Sequence, residues 1–394
     1  MINKKTMKDI DVMGKRCLVR VDFNVPLDKD GKITDETRIQ NTLPTIHNLL
    51  GRGAKIILIS HLDRPEGKDP NLSLNIVAKR TAELLGRNKI PVYDLDDPNL
   101  EKIVNDMKNG DILFFENIRY YIEERKDYLK FGERLSRFGD VFINDAFGAA
   151  HRVHGSTVGI TKFLPSVQGL LMEQETRLLR LLVTNPNRPF VAVIGGKKAS
   201  TKMPVINTLL DRADTIITGG GVANTFLKAW GIEIGKSFYE ETMLQEAKDL
   251  LFKAVSSNAS LLLPRDFIVS NEPTDKGDIK EVNFDKIPKN YAAYDIGPKS
   301  RKICRDILVN AGSVLWSGPV GMFEVEPFSH GCNTILASIA SGNSNSVIGG
   351  GDTIAAVAGQ PEMNRISHIS TGGGATLQFI EKGSLPAIDA LEDL

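Results

Sequence analysis

The chain has 394 residues, 41% of them hydrophobic, and its 49 Lys and Arg balance its 49 Asp and Glu. This length favours two domains of similar size. The neutral balance excludes an overall field that would attract nucleic acid or an anionic membrane. Cys17, Cys304 and Cys332 lie far apart without CxxC spacing, which is typical of a reduced cytoplasmic protein and not of a disulfide scaffold or zinc site. Residues 1–16 are charged and no apolar run follows them, so we expect neither a signal peptide nor a membrane span.

Short apolar runs alternate with amphipathic segments along the chain. The first run, LVRVDFNVPL at 18–27, predicts a strand with apolar residues on one face and Arg20, Asp22 and Asn24 on the other. Further strands are predicted at 54–60, 110–117, 139–147, 190–196, 214–221, 260–269, 313–319, 345–353 and 366–375, with helical patterns such as 36–53 and 73–88 between them. Continuous apolar strands that alternate with helices predict parallel sheets covered on both faces.

This pattern predicts an α/β fold with two doubly wound, Rossmann-like parallel-sheet domains joined by a helix. The helix is expected at 169–186, where an amphipathic pattern is followed by a polar turn that contains proline. The first domain is therefore predicted at 1–168 and the second at 187–376.

The strand ends of the first half are rich in basic residues, and ligands of parallel α/β sheets bind beyond the carboxyl ends of the strands. The basic residues near these ends are Arg20, Arg38, Arg64, Arg119, Arg152, His61, His151 and His154. A single arginine at such a place is more often a surface ion-pair partner or a helix cap. Five together predict a site for phosphate or carboxylate, which the planar guanidinium binds through two hydrogen bonds.

The strand ends of the second half carry glycines instead, in VIGGKK, ITGGGVANTF, IGGGDT and STGGGA. One glycine pair after a strand is usually only a turn. Four in one sheet predict a polyphosphate cradle made of backbone N–H groups. Lys197, Lys198 and Lys202 are placed to neutralise phosphate, and Asp352 to bind Mg²⁺.

Two anion sites on separate domains predict two substrates on opposite walls of a cleft, as phosphoryl transfer requires. One alternative is a nicotinamide-dependent oxidoreductase, which needs a G-x-G-x-x-G turn and an acidic residue about 20 positions later. The sequence contains neither that turn nor a Walker loop. Nucleic-acid binding would need a basic stripe on this neutral chain, and a small anion explains the basic residues better.

The motifs resemble those of the phosphoglycerate kinase family and occur in the family's order. They are RVDFNVPL, SHLDRP, ENIRYY, NDAFGAAHRVHGS, VIGGKKASTK, GGGVANTF, DIGP, LWSGPVGMFE, GGGDT and STGGGATL, and they run from residue 20 to 377. The resemblance implies reversible Mg²⁺-dependent transfer between ATP and the carboxylate of 3-phosphoglycerate in glycolysis, by hinge closure. It also implies a cytoplasmic monomer with small-molecule substrates, no nucleic-acid or membrane partner, and a C-terminal tail, 377–394, that packs on the first domain.

The resemblance also implies the site residues. The 3-phosphoglycerate site would consist of Asp22, Phe23, Asn24, Arg38, His61, Arg64, Arg119, His151 and Arg152. The nucleotide site would consist of Gly196, Lys198, Lys202, Gly221, Glu324, Gly350, Gly351, Asp352 and Thr353, with Mg²⁺ on Asp352. Arg38, Lys202, Gly372 and Gly373 would act on the phosphoryl group in transfer. No strong base is needed, because the acceptor carboxylate is already ionised at neutral pH.

Four positions depart from the family pattern. They are Asp63, Lys197, Arg265 and Ser317, where the family usually has glycine, a small residue, an apolar residue and asparagine. The Asp63 carboxylate would weaken phosphate binding if it faced the ligand. The departures also keep open a regulatory protein that binds both ligands without turnover, although the intact Arg38, Lys202 and Asp352 count against it.

Overall fold

The computed structural model describes residues 3–394, and its contacts divide the chain into two units. The first unit contains the described residues up to Arg177 together with Ser384–Leu394, and the second is Leu178–Gly383. Each unit is built on a six-stranded parallel sheet. The prediction of an α/β fold with two parallel-sheet domains is therefore confirmed.

The sheet of the first unit is buried on both faces. Its strands are β1 (Arg16–Arg20), β2 (Lys55–Ile59), β3 (Val92–Tyr93), β4 (Ile112–Phe115), β5 (Val141–Asn144) and β6 (Ser166–Gln168). They lie in the order β3-β4-β2-β1-β5-β6, and all neighbours are parallel. Ile56 and Leu58 of β2 join one apolar core, whereas Ile57 and Ile59 join another. Because alternate side chains point to opposite faces, the two cores cover the two sides of the sheet.

The second unit contains a large parallel sheet and a small antiparallel one. Its strands are β7 (Phe190–Ile194), β8 (Thr215–Thr218), β9 (Ser260–Leu262), β10 (Asp266–Ser270), β11 (Ile279–Asn283), β12 (Ala292–Ile296), β13 (Ser313–Ser317), β14 (Asn345–Gly349) and β15 (His368–Ser370). The large sheet has the order β15-β14-β13-β7-β8-β9 and the small one β11-β10-β12. The small sheet is not predicted by the sequence pattern.

Several predicted strands are shorter in the structure, and the runs 260–269 and 18–27 differ most. The run 260–269 is two strands in different sheets, because Pro264 lies between them and has no N–H for a strand ladder. The opening run 18–27 is a strand only up to Arg20. Beyond it the Phe23 amide donates to Ser60 Oγ at 3.0 Å, and the chain leaves the sheet although Val21, Phe23 and Val25 stay buried.

Most of the helices connect successive strands, and the last two follow β15. They are α1 (Thr37–Gly51), α2 (Asn75–Leu84), α3 (Leu100–Asn105), α4 (Glu123–Lys126), α5 (Tyr128–Ser136), α6 (Leu170–Thr184), α7 (Met203–Leu209), α8 (Gly220–Ala229), α9 (Leu244–Ser256), α10 (Pro298–Leu308), α11 (His330–Ser341), α12 (Gly351–Ala356), α13 (Gly374–Lys382) and α14 (Pro386–Asp389). The break between the two units falls inside α6. The first turn of α6 donates the amides of Leu171 and Met172 to Asp145 Oδ1, at 2.9 and 3.1 Å.

The C-terminal segment packs on the first unit. The Ala387 amide donates to Ala150 O at 3.0 Å, and the Glu392 amide donates to Ser166 O at 3.0 Å. The segment starts at Ser384, later than the predicted residue 377, because the intervening residues belong to α13 of the second unit. Within residues 3–394, no helix combines the length and the apolarity that a membrane crossing needs.

Asp295 of β12 is a buried carboxyl that makes stability depend on pH. It accepts the amide of Gly331 at 2.7 Å, and burial raises its pKa to about 7. The folded chain therefore holds a proton that the unfolded chain releases near pH 4. The resulting stabilisation is fully present below that pH and is lost as the pH rises through the folded pKa.

We expect Asp295→Asn, whose amide cannot ionise, to flatten this dependence. When the pH is raised from 5 to 8, the unfolding free energy of the native chain should fall by on the order of 2 kcal/mol more than that of the variant. Urea unfolding at the two pH values measures the difference. If the unfolding free energies of the two proteins changed equally between these pH values, Asp295 would have to be ionised in the folded chain.

Candidate active site

The predicted substrate residues of the first unit lie beyond the carboxyl ends of β1, β2, β4 and β5 and at the start of α1. The basic cluster is defined as Arg38, Arg64, Arg119, Arg152, His61 and His151. Short connections place these residues there: His61 is two residues beyond β2, and Arg38 is the second residue of α1. The charge of Arg152 lowers the pKa of Arg119, and the charge of Arg64 lowers that of Arg152, so residues from different strand ends interact.

Arg119 is the most unusual member of the basic cluster. It is 5% exposed, and its buried Nε and Nη2 atoms have no hydrogen-bond partner. Burial, followed by the charges of Arg152 and Arg20, lowers its pKa to about 10. Buried guanidinium groups are normally paired. An anion that accepts hydrogen bonds from Arg119 would satisfy both atoms and relieve the repulsion between the arginines.

Asp22 connects Arg38 to His61. Arg38 Nη1 donates to Asp22 Oδ2 at 2.6 Å, and Asp22 Oδ1 lies 3.6 Å from His61 Nδ1. Burial, and then the charge of Arg20, holds the pKa of His61 well below its usual value. His61 is therefore neutral at physiological pH and serves as a hydrogen-bonding group.

The other members of the basic cluster are more accessible. Arg152 Nε donates to His151 Nε2 at 3.1 Å, and burial lowers the pKa of His151. Arg64 is exposed, and after burial its charge is the largest influence that lowers the pKa of Arg152. The charge of Arg64 therefore acts on Arg152, and this repulsion favours an anion at the site.

The Phe23 side chain lies in the core of the first unit. Its side chain is fully buried and packs against Phe114, with 6.1 Å between the ring centroids. Its amide donates to Ser60 Oγ, and its carbonyl accepts the Val25 amide at 2.9 Å. Its side chain is therefore part of the core, and its predicted role in substrate binding stays a prediction.

Asn24 is tied to Asp63, one of the departures from the family pattern. The Asp63 amide donates to Asn24 Oδ1 at 2.8 Å. Among residues 3–394, Asp63 is the only non-glycine residue with a positive φ, 52°. Left-handed backbone suits glycine, which explains why the family usually has glycine at this position. The exposed carboxylate of Asp63 makes no hydrogen bond to the basic cluster.

In the second unit the glycine-rich edge is formed by the carboxyl ends of β7, β8, β13, β14 and β15. The predicted nucleotide residues Gly196, Lys198, Gly221, Glu324, Gly350, Gly351, Asp352 and Thr353 follow these strands directly or lie in the loops and first helical turns after them. Three helices, α8, α12 and α13, begin at this edge. Their first N–H groups lack intrahelical acceptors, which favours binding of anions.

Individual glycines leave room for a ligand or for close packing. A Cβ added to Gly373 or Gly374 would meet no heavy atom within 4 Å, and Gly373 has a φ of +52°. A Cβ on Gly221 would instead lie 2.5 Å from Lys197 O. The start of α13 is therefore open, whereas α8 begins tightly packed against the loop after β7.

Lys202 lies at the N-cap of α7 and reaches the end of β13. Its Nζ donates to Ser317 Oγ at 2.8 Å. Burial lowers its pKa to about 8, and the nearby Asp352 carboxylate opposes that change. Ser317, the departure from asparagine, thus holds the ammonium of Lys202, a contact that the sequence analysis missed.

The remaining polar residues of this edge have different surroundings. Thr353 Oγ1 accepts a hydrogen bond from the Gly318 amide at 2.7 Å and donates one to Gly349 O at 3.0 Å. Its hydroxyl proton is therefore already donated within the protein. Asp352 and Glu324 are exposed. Lys198 is exposed as well.

Two further departures lie at the surface of the second unit. The Lys197 Nζ lies 4.9 Å from the centroid of the Phe238 ring, so this ammonium contacts an aromatic face. Arg265 is exposed in the connection between β9 and β10. Its amide donates to Ser300 Oγ at 2.9 Å.

Comparisons with known proteins identify this arrangement. The family model described as phosphoglycerate kinase matches residues 7–383. The chain belongs to the phosphoglycerate kinase family. It is 46% identical over 391 residues to the phosphoglycerate kinase of Pelotomaculum thermopropionicum, with 99% of each chain covered.

Solved structures agree with this membership. The phosphoglycerate kinase structure from Coxiella burnetii matches with a TM-score of 0.89 and 36% identity, and that from Pyrococcus horikoshii with 0.86 and 31%. Each match covers 98% of both chains. The chain is therefore a phosphotransferase of glycolysis that exchanges a phosphoryl group between ATP and 3-phosphoglycerate.

With the reaction known, Asp63 gives a first prediction for the site. We expect Asp63→Gly to lower KM for 3-phosphoglycerate by no more than about fivefold, because one exposed charge near a basic site contributes about 0.2–1 kcal/mol. kcat should not change. Steady-state kinetics measure both constants. Asp63→Asn is the matched control, since it removes the charge and tolerates left-handed backbone. A large loss of activity in either variant would give Asp63 a positive role in the reaction.

Proposed function

We propose that the basic cluster binds 3-phosphoglycerate and that the glycine-rich edge binds ATP with Mg²⁺. The observation that carries the first assignment is Arg119, a buried guanidinium with two unpartnered atoms among other arginines. A phosphate group carries the charge and the oxygen acceptors that such a site lacks. The proposed ligands of that phosphate are Arg64, Arg119 and Arg152.

The polar residues after β1 then orient the other end of the substrate. Asp22 and Asn24 would receive its hydroxyl and carboxylate end. Arg38, held by Asp22 at 2.6 Å, would lie nearest the reacting carboxylate. His61 and His151 would donate or accept hydrogen bonds as neutral rings, because burial lowers both pKa values.

The nucleotide phosphates would meet Lys198, Lys202 and the N–H groups at the open start of α13. Gly221 would border the base, and Glu324 would bind the ribose. Among residues 3–394, no group of three or more His, Cys, Asp or Glu side chains is arranged to hold a metal. Mg²⁺ commonly binds to one or two carboxylates together with substrate phosphates, and the exposed Asp352 at the start of α12 fits that use. Mg²⁺ bound there would neutralise phosphate charge.

The reaction then depends on positioning and charge neutralisation. The carboxylate acceptor is ionised at neutral pH, so no residue has to remove a proton. Arg38, Lys202 and the amides of Gly372 and Gly373 would offset the charge that develops during transfer. Because acceptor and donor bind to different units, direct transfer requires the two bound ligands to meet.

We also propose that the chain works as a cytoplasmic monomer. Cys17, Cys304 and Cys332 are free and buried, which suits a reducing compartment. Light scattering after gel filtration tests the monomer, and a stable dimer would overturn it.

A coupled assay tests the proposed sites. The chain is incubated with MgATP and 3-phosphoglycerate, and the acyl phosphate product is consumed by glyceraldehyde-3-phosphate dehydrogenase. Turnover is expected to disappear when Mg²⁺ is chelated and to return when it is restored. Binding of both ligands without turnover would support the alternative of a regulatory protein, and Asp63 and Ser317 would be the first residues to revert to the family pattern.

A further inference from the structure

Arg20 is a buried guanidinium whose Nε, Nη1 and Nη2 atoms each hydrogen-bond within the first unit. It is the last residue of β1 and is 1% exposed. Its Nη1 donates to backbone carbonyls of Val21 and Ile59. Its Nη2 lies 3.0 Å from His61 Nδ1. Because Arg20 is enclosed and paired in this way, its charge acts on the site through neighbouring groups.

The contact with Arg20 fixes the proton position on His61. A guanidinium has donors only, so His61 Nδ1 must accept the hydrogen bond from Nη2. In a neutral imidazole the proton is then on Nε2. Among residues 3–177 and 384–394, no residue accepts a hydrogen bond from that Nε2. The ring therefore presents an N–H donor that a substrate oxygen can accept.

Asp22 would favour the opposite tautomer if Arg20 were absent. Its Oδ1 lies 3.6 Å from the same Nδ1 and has no hydrogen-bond partner. A carboxylate beside an imidazole nitrogen draws the proton to that nitrogen. Nε2 would then carry a lone pair toward the anionic substrate, and the contact would become repulsive.

A buried carboxylate holds Arg20 in place through a serine. Arg20 Nε donates to Ser156 Oγ at 3.0 Å, and Ser156 Oγ donates to Glu124 Oε1 at 2.6 Å. The Ser156 amide donates to Glu124 Oε2 at 2.8 Å. Glu124 is fully buried; burial raises its pKa, and the charge of Arg20 opposes that change, so the two groups attract one another inside the unit.

We infer that Arg20 is a positioning residue that holds His61 in the Nε2–H tautomer, and that Glu124 orients Arg20 through Ser156. This inference rests on the proposed function in so far as His61 contacts the substrate. Its consequence is selective: the tautomer affects binding of 3-phosphoglycerate and leaves the nucleotide site unchanged.

The test is the double variant Arg20→Met, Glu124→Gln, which removes both buried charges together and so avoids an unpaired one. Nitrogen-15 NMR of histidine-labelled protein reports the tautomer, with His61→Gln identifying the signal. We expect Nε2–H in the native chain and Nδ1–H in the variant. KM for 3-phosphoglycerate should rise about tenfold, as expected for the loss of one hydrogen bond to a charged group, with kcat within about threefold.

Ser156→Ala is the milder variant, since it keeps both charges and breaks only their connection. It should give a mixture of the two tautomers and a smaller rise in KM, and it decides the question if the double variant does not fold. An unchanged Nε2–H signal in the folded variants would overturn the inference, and so would a tautomer change without a change in KM. If the native chain bound no 3-phosphoglycerate, the proposed function would fail, while NMR would still judge the tautomer.

Discussion

Lys202→Ala is expected to lower kcat about 10²–10³-fold while the dissociation constant of MgATP stays within about tenfold. The ammonium of Lys202 is held by Ser317 Oγ at 2.8 Å and is partly buried, so its charge is screened less than that of an exposed lysine. Its contact with the phosphoryl group is proposed to be strongest in the transition state. Steady-state kinetics and calorimetric titration of MgATP measure the two quantities.

Lys198→Ala is the matched control for this prediction. Lys198 is exposed in the same loop, so the change removes the same charge from a position that water screens. We expect it to weaken nucleotide binding and to affect kcat much less. If the affinity for MgATP fell as much as kcat in Lys202→Ala, then Lys202 would bind the ground state and the transition state equally.

Arg119→Met is expected to change stability and substrate binding in opposite directions. Its Nε and Nη2 are buried without partners, so replacement by an apolar side chain should raise the unfolding free energy by about 1–2 kcal/mol. The dissociation constant of 3-phosphoglycerate should rise about 100-fold or more, because a buried charge pair with the ligand is lost. Urea unfolding and ligand titration measure the two effects.

Arg137→Met provides the control, because it removes the same charge from an exposed position on the first unit. It should leave both the stability and the affinity for 3-phosphoglycerate nearly unchanged. A loss of stability in Arg119→Met without a loss of affinity would show that Arg119 is a structural residue. In that case the phosphate would have to bind elsewhere in the basic cluster.

The sequence alone was sufficient for the fold class and for the reaction. Apolar strands that alternate with helices indicate a parallel sheet, because the connecting helices of such a sheet cover both of its faces. The order of the motifs pointed to the family, and the glycines after β7, β8, β14 and β15 marked the strand ends. These features are local, and a local pattern can be read directly from the chain.

Other features depend on contacts between residues that are far apart in sequence. The alternating pattern placed Arg20 on a polar face of its strand, yet its side chain is buried. Ser156, which is 136 positions away in sequence, accepts its hydrogen bond, and Glu124 in turn accepts a hydrogen bond from Ser156. The small antiparallel sheet was not predicted because its strands contain many polar residues. One of them, β11, has largely exposed side chains.

The departures show the same division between sequence and tertiary structure. The sequence identified Asp63 and Ser317 as unusual, but their surroundings explain them. A positive φ accounts for the usual glycine at position 63, and the ammonium of Lys202 accounts for a hydroxyl at position 317. Residue types and their spacing thus determined which chemistry the chain carries. Tertiary packing decided which side chains are buried, which are paired, and which are left to bind a ligand.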